Sequence, residues 1–147
     1  MEFLSKSDIE TKNKAKDLLK NLVENEGSQN AHVLALEGDL GSGKTTFTQG
    51  IAEALLITER VQSPTFVIEK IYKILNHPRW AHLVHIDAYR LDNESELTHL
   101  GWKEFVENTK NLIVIEWSER IKKVLPKKYI KIHIDHIGKN IRKIKIL

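Results

Sequence analysis

The sequence predicts a three-layer α/β sandwich: a mixed sheet with a parallel core and antiparallel additions at its edges. Three observations carry that expectation. Apolar, strand-like runs alternate with helix-period stripes early in the chain, the order that builds parallel sheets. Strand-like runs dominate late, which adds antiparallel edges. Between the first apolar run and the helix after it lies a glycine turn, Gly38-Asp39-Leu40-Gly41-Ser42-Gly43-Lys44-Thr45.

That turn fits Gly-x-x-x-x-Gly-Lys-[Ser/Thr] at every fixed position. Val33-Leu34-Ala35-Leu36 leads in as a strand, and Phe47, Ile51 and Leu55, spaced by four, lead out as a helix. Strand, glycine loop and helix together make the setting of a phosphate-binding P-loop, so the fold is expected to be P-loop NTPase-like. The residue types follow from the chemistry. Gly41 and Gly43 let the backbone turn tightly and aim N–H groups at phosphate oxygens. The helix starting near Lys44 adds its positive end. Lys44 reaches toward the β- and γ-phosphates of a triphosphate, Thr45 offers a hydroxyl to Mg²⁺, and Thr46 donates to a phosphate further in. Asp39, Leu40, Gly41, Ser42, Gly43, Lys44, Thr45 and Thr46 are thus the expected nucleotide-binding set.

Composition bounds the rest. The 147 residues suffice for one domain, expected over 1–147, and an apolar share of 41% supplies its core. The count of Cys is 0, which excludes disulfides and thiolate metal sites and fits a reducing cytosol. Met1 to Lys6 lacks the apolar run of a signal peptide, and no segment has the length to span a bilayer. A cytoplasmic protein without a membrane partner is the expectation. A net charge of +3 is too mild to imply nucleic acid by itself.

Taken in order, Ser7-Asp8-Ile9-Glu10 opens a helix as a capping box. Its apolar stripe is Ala15, Leu18, Leu19, Leu22 and Val23, and Gly27 is the expected stop. After the P-loop helix, ending near Ile57, Val61-Gln62-Ser63-Pro64-Thr65-Phe66 forms a stiff loop entering a strand from Val67 to Ile74. Its hydroxyls make Ser63 and Thr65 switch-like candidates, against the plain alternative of an ordinary turn. Residues 76–80 read as a hairpin loop. Leu83 to Asp87 is a buried strand closing on an acid. A helix runs from Asp92 toward Leu100, Gly101 breaks it, and Trp102 to Val106 begins another. Leu112 to Glu116 repeats the acid-tipped strand. Tyr129 to Asp135 and Ile141 to Leu147 close the chain as two strands around a turn at Gly138.

In a P-loop fold the C-terminal ends of parallel strands line the nucleotide crevice. Asp87 and Glu116 both belong there, one to support Mg²⁺ and the other to orient a water or a substrate hydroxyl. The pattern does not rank them. His85, mid-strand, reads as a hydrogen-bonded structural histidine. Arg90 fits either transition-state charge or a pairing role. The basic run from Lys122 to Lys145 is either a footprint for RNA or an acidic partner, or a solvated edge that discourages strand addition.

The landmarks together resemble the bacterial TsaE (YjeE) family. They are Gly-Asp-Leu-Gly-Ser-Gly-Lys-Thr-Thr-Phe at 38–47, Ser63-Pro64-Thr65, His85-Ile86-Asp87-Ala88-Tyr89-Arg90-Leu91, and Glu116-Trp117-Ser118-Glu119. The resemblance covers most of the chain from Ser7 on, though the first helix and the basic C-terminal hairpin match less well. It implies an ATPase, slow alone, that works with TsaB- and TsaD-like proteins. That complex forms N6-threonylcarbamoyladenosine beside the anticodon of tRNAs, and the ATPase drives or resets it. By the same resemblance Thr45 and Glu116 hold Mg²⁺, Asp87 is an essential acid near the γ-phosphate or attacking water, and Trp117 lies close to the site. Lys44 and Asp87 are then the catalytic pair. No arginine finger is assignable. The rival readings are a small-molecule P-loop kinase and a nucleotide-gated RNA-binding scaffold. A GTPase is disfavoured, since no Asn-Lys-x-Asp stretch stands at a strand end.

Overall fold

The structure, a computed structural model, describes residues 1–25, 29–62 and 68–147. Strands β1 (Glu2–Ser5), β2 (His32–Glu37), β3 (Glu69–Lys73), β4 (His82–Asp87), β5 (Asn111–Glu116), β6 (Ile130–Gly138) and β7 (Ile141–Ile146) form one sheet in the order β1-β7-β6-β2-β5-β4-β3. The four central strands β6, β2, β5 and β4 run parallel. β1, β7 and β3 are antiparallel at the edges. The expected mixed sheet is therefore present. Gly27 as a helix stop, Ser63 and Thr65 as switch residues and the strand start at Val67 lie outside the described residues.

Helices α1 (Asp8–Glu24) and α2 (Lys44–Ala54) cover one face of the sheet, and α3 (Ser95–His99) and α4 (Trp102–Glu107) cover the other. Two cores result because strand side chains alternate between faces. Leu34, Leu36, Leu112, Val114, Ile132 and Ile134 pack under α1 and α2 with Phe47 and Ile51. Val33, Val84, Ile86, Ile113 and Ile115 pack under α3 and α4 with Leu97 and Trp102. The even-numbered residues of β5 and the odd-numbered residues of β4 share the α2 face. That sorting decides which polar side chains meet the glycine loop.

Sequence and structure differ at four places. β1 is a short edge strand that sequence reading did not anticipate. It pairs with β7 from Glu2 opposite Lys145 to Ser5 opposite Arg142. Its four residues carry no repeat long enough to read, and its partner lies at the far end of the chain. The helix expected from Asp92 is confined to Ser95–His99, because Asn93 ties back Ser95 N through its side chain (2.9 Å) and forms a turn instead. Ser118–Val124, not assigned at all, folds as 3-10 turns. The final turn is Lys139-Asn140, with Asn140 left-handed (φ 58), while Gly138 closes β6. The capping box is met in its first half: Ser7 Oγ accepts from Glu10 N (3.1 Å), while Glu10 Oε2 reaches one residue further back and accepts from Lys6 N (2.7 Å).

Candidate functional site

β2 delivers the chain into the glycine loop, and α2 begins at Lys44. The loop is seated hard against β6. A Cβ on Gly38 would collide with the Ile134 carbonyl oxygen and stand 2.6 Å from Ser42 Oγ. Gly43 has φ +112, a left-handed conformation that L side chains rarely adopt. Its missing side chain also makes room for Arg142 of β7: a Cβ there would stand 2.6 Å from Arg142 Nε and 2.8 Å from Cδ.

Lys44 is buried and folded back onto its own loop. Its Nζ donates to the carbonyls of Gly38 (2.5 Å) and Asp39 (2.9 Å). Burial lowers its pKa; the nearby carboxylates of Glu116, Glu119, Asp87 and Asp39 pull it back up. The ammonium also lies 4.2 Å from the centre of the Trp117 ring. Trp117 in turn meets Tyr89 with centroids 5.0 Å apart, and Arg120 covers Tyr89 at 5.0 Å. Trp117 has φ 60 and ψ 41, left-handed for a bulky residue, a strain of about 1–3 kcal/mol that the surroundings must hold. The Ser118 hydroxyl anchors the following residue to the Leu36 carbonyl at 3.3 Å.

The acids settle around α2. Thr45 Oγ1 donates to Glu116 Oε1 at 2.9 Å. The other oxygen of Glu116 lies 2.5 Å from His85 Nε2. With Glu116 ionised, His85 must donate, which puts a proton on Nε2. His85 and Glu116 are both buried, so β4, β5 and α2 are joined by one line of hydrogen bonds, His85 to Glu116 to Thr45. Asp87 pairs in register with Glu116 on the neighbouring strand, two residues beyond His85 and on the same face. Its Oδ1 accepts from Tyr89 N at 2.9 Å. Glu116 therefore stands against Thr45, and both strand-end acids lie near enough to Lys44 to raise its pKa. Arg90 is exposed at the end of the 3-10 turn 88–90.

The donor set suits the expected ligands. Residues 40–46, Glu116, Trp117 and Arg142 line a cavity of about 340 Å³ over the start of α2. The Nε–H of Arg142 is buried there without a hydrogen-bond partner, a donor awaiting an acceptor. Thr45 and Glu116 offer two hard oxygens side by side. Mg²⁺ accepts such a pair while keeping waters and phosphate oxygens in its remaining positions. A larger open groove of about 960 Å³ lies between residues 29–33 and 126–130. It sits at the opposite ends of β2 and β6, away from both acids.

Comparison with known proteins identifies the family and the fold. A family model described as threonylcarbamoyl adenosine biosynthesis protein TsaE matches residues 5–144. The chain belongs to the TsaE family. It is similar to the tRNA threonylcarbamoyladenosine biosynthesis protein TsaE of Bacillus subtilis, 45% identical over 112 residues, covering 76% of this chain and 66% of that one. The TsaE protein of Rickettsia typhi is 36% identical over 137 residues, covering 92% and 87%. The match therefore spans just under two thirds of the Bacillus relative and most of the Rickettsia one. The crystal structure of Bacillus subtilis YdiB superposes with a TM-score of 0.75 at 33% identity, covering 98% of this chain and 82% of that one. The TsaE fold is thus the P-loop fold that the glycine turn foretold. No helix among the described residues is long and apolar enough to cross a membrane.

Two features of this TsaE site escaped sequence reading. His85 is the buried, hydrogen-bonded histidine that the sequence suggests, but its partner, the strand-end acid Glu116, is not foreseen there. The strand alternation could have flagged it, since His85 shares a face with Asp87. Arg142 was grouped with the basic tail. Nothing local marks it, because it reaches the loop only through the pairing of β6 with β7.

The His85–Glu116 pair makes a stability prediction. His85→Ala leaves a buried carboxylate with one partner fewer and should cost about 3 kcal/mol. Urea unfolding would show this as a lower midpoint with an unchanged slope. A midpoint equal to wild type would mean that the pair contributes nothing.

Proposed function

We propose that this chain is a P-loop ATPase in the formation of threonylcarbamoyladenosine on tRNA. In this reading it binds ATP with Mg²⁺ and hydrolyses it, and so drives or resets a complex of TsaB- and TsaD-like partners. The observation that carries the reading is the line from His85 through Glu116 to Thr45 at the mouth of the glycine loop, with Asp87 in register beside it. The family description supports the pathway.

The chain's own groups have distinct tasks. Lys44 exchanges the Gly38 and Asp39 carbonyls for phosphate oxygens and neutralises their charge. The loop amides and the start of α2 hold the phosphate chain in place. Thr45 and Glu116 would hold Mg²⁺, which offsets charge spreading over the γ-phosphoryl group. Asp87 accepts a hydrogen bond from the attacking water and aligns it. The water oxygen bonds to phosphorus and its proton passes to the Asp87 carboxylate, while the bond to the bridging oxygen breaks and ADP leaves with that electron pair. Trp117 covers Lys44 and limits water in the cavity. Such a site works by positioning and electrostatics, with little covalent help from protein.

A phosphate-release assay with Mg²⁺ and ATP tests the reading. The expected result is slow hydrolysis by the chain alone and faster turnover with TsaB- and TsaD-like proteins present. Equal rates with and without them would count against it. A phosphorylated metabolite in place of free phosphate would point to the kinase alternative. The scaffold alternative requires strong, salt-sensitive tRNA binding by the isolated chain. Part of the basic tail is already engaged, with Lys131 on Glu37 (3.1 Å), Arg142 on Asp8 (2.7 Å) and Lys143 on Glu2 (3.2 Å). Contact with tRNA through the complex fits this better.

A further inference from the structure

Arg142 stands apart from the other cations of the C-terminal hairpin. It belongs to β7, yet its side chain turns inward and is only 13% exposed. Its outer edge is fixed by α1: Nη1 donates to Asp8 Oδ1 at 2.7 Å and to Thr11 Oγ1 at 3.2 Å. Thr11 is itself held by Ser5 Oγ at 2.7 Å. Its inner edge faces the glycine loop. Nε, Cδ and Cζ are the three atoms nearest the point where a Gly43 side chain would begin. The Nε–H is buried and meets no acceptor.

Buried donors of native proteins are nearly always paired, and one left open beside a ligand cavity asks for an acceptor from the ligand. The acceptor has a definite chemistry. A guanidinium is permanently charged and matches phosphate oxygens. The atom in question lies beside Gly43, the last loop position before Lys44, where the backbone amides of a P-loop would face a phosphate chain. The geometry points to Arg142 as a phosphate-binding residue supplied in cis from β7. Its Nε–H donates to an oxygen of the nucleotide's diphosphate portion, while Asp8 and Thr11 hold the opposite edge. This rests on the reading that the glycine loop holds a nucleotide. It adds a cation that the motif does not contain, and it ties the start of α1 and the last strand to nucleotide binding.

The test compares wild type with Arg142→Lys and Arg142→Gln, using ADP and inorganic pyrophosphate as ligands in calorimetric titrations. Wild-type failure to bind ADP would sink the nucleotide reading itself, whatever the variants do. Given wild-type binding, Arg142→Lys keeps charge and stem but loses the Nε–H. It should weaken ADP and pyrophosphate alike by about tenfold, and Arg142→Gln by more. Unchanged affinity in both variants would overturn the inference. So would a loss confined to ADP with pyrophosphate binding intact, since the cation would then serve base or ribose. Should either variant fail to fold, wild-type NMR decides. The Arg142 Nε–H resonance should shift and exchange more slowly on adding ADP, and an unmoved resonance would refute the assignment.

Discussion

Lys44→Ala should bring ATP turnover to background and weaken binding of ATP about a hundredfold or more, with the protein still folded. The size of the effect follows from what surrounds the ammonium. It is buried, two loop carbonyls already converge on it, and an aromatic face closes over it. In such a water-poor pocket a positive charge acts on phosphate oxygens with little screening. Removing it takes away the phosphate partner and leaves the Gly38 and Asp39 carbonyl oxygens where further donors are wanted. Stability should change far less than activity, because the loop's seat is made by Gly38 against β6 and by Gly43 against Arg142. Phosphate release, nucleotide titration and thermal unfolding together separate the two effects. Hydrolysis continuing at the wild-type rate would remove the P-loop from the mechanism.

How much of this site the sequence disclosed depends on how local each requirement is. The glycine loop was legible because backbone turn, helix start, lysine and hydroxyl all fall within a few adjacent residues. Both acid-tipped strands were legible for a similar reason: a run of apolar residues ending in a carboxylate implies burial up to that end. The ranking of the two acids was not, because it depends on which acid faces Thr45 across the sheet. Parallel pairing of β2 with β5 brings Glu116 opposite Leu36, next to the loop, and leaves Asp87 one strand further out. Trp117 was reached only through family resemblance. Its left-handed backbone has no sequence signal, since tryptophan is not a residue that turn chemistry favours there. Arg142 is the extreme case. Its position needs β6 paired to β2, β7 paired to β6, and α1 laid across both, three long-range facts that no short window contains.

The different stations of the two acids give the second large effect. Glu116→Gln keeps the shape of the side chain and can still meet Thr45 and His85, so the fold should survive. It removes the negative charge that makes this oxygen pair attractive to Mg²⁺. ADP binding without metal should stay near wild type, while the strengthening that Mg²⁺ gives to ATP binding should be lost, and turnover should fall by about a hundredfold or more. Asp87→Asn should behave otherwise. Its carboxylate is not the one joined to Thr45, so Mg²⁺-dependent ATP binding should persist. Turnover should still fall by about two to three orders of magnitude, because an amide oxygen aligns the attacking water poorly and cannot accept its proton. Titrations with and without Mg²⁺, beside single-turnover hydrolysis, read both variants on one scale. If Asp87→Asn abolished the Mg²⁺ dependence while Glu116→Gln preserved it, the two roles would have to be exchanged. The hydrogen bond between Thr45 and Glu116 would then be a helix contact alone.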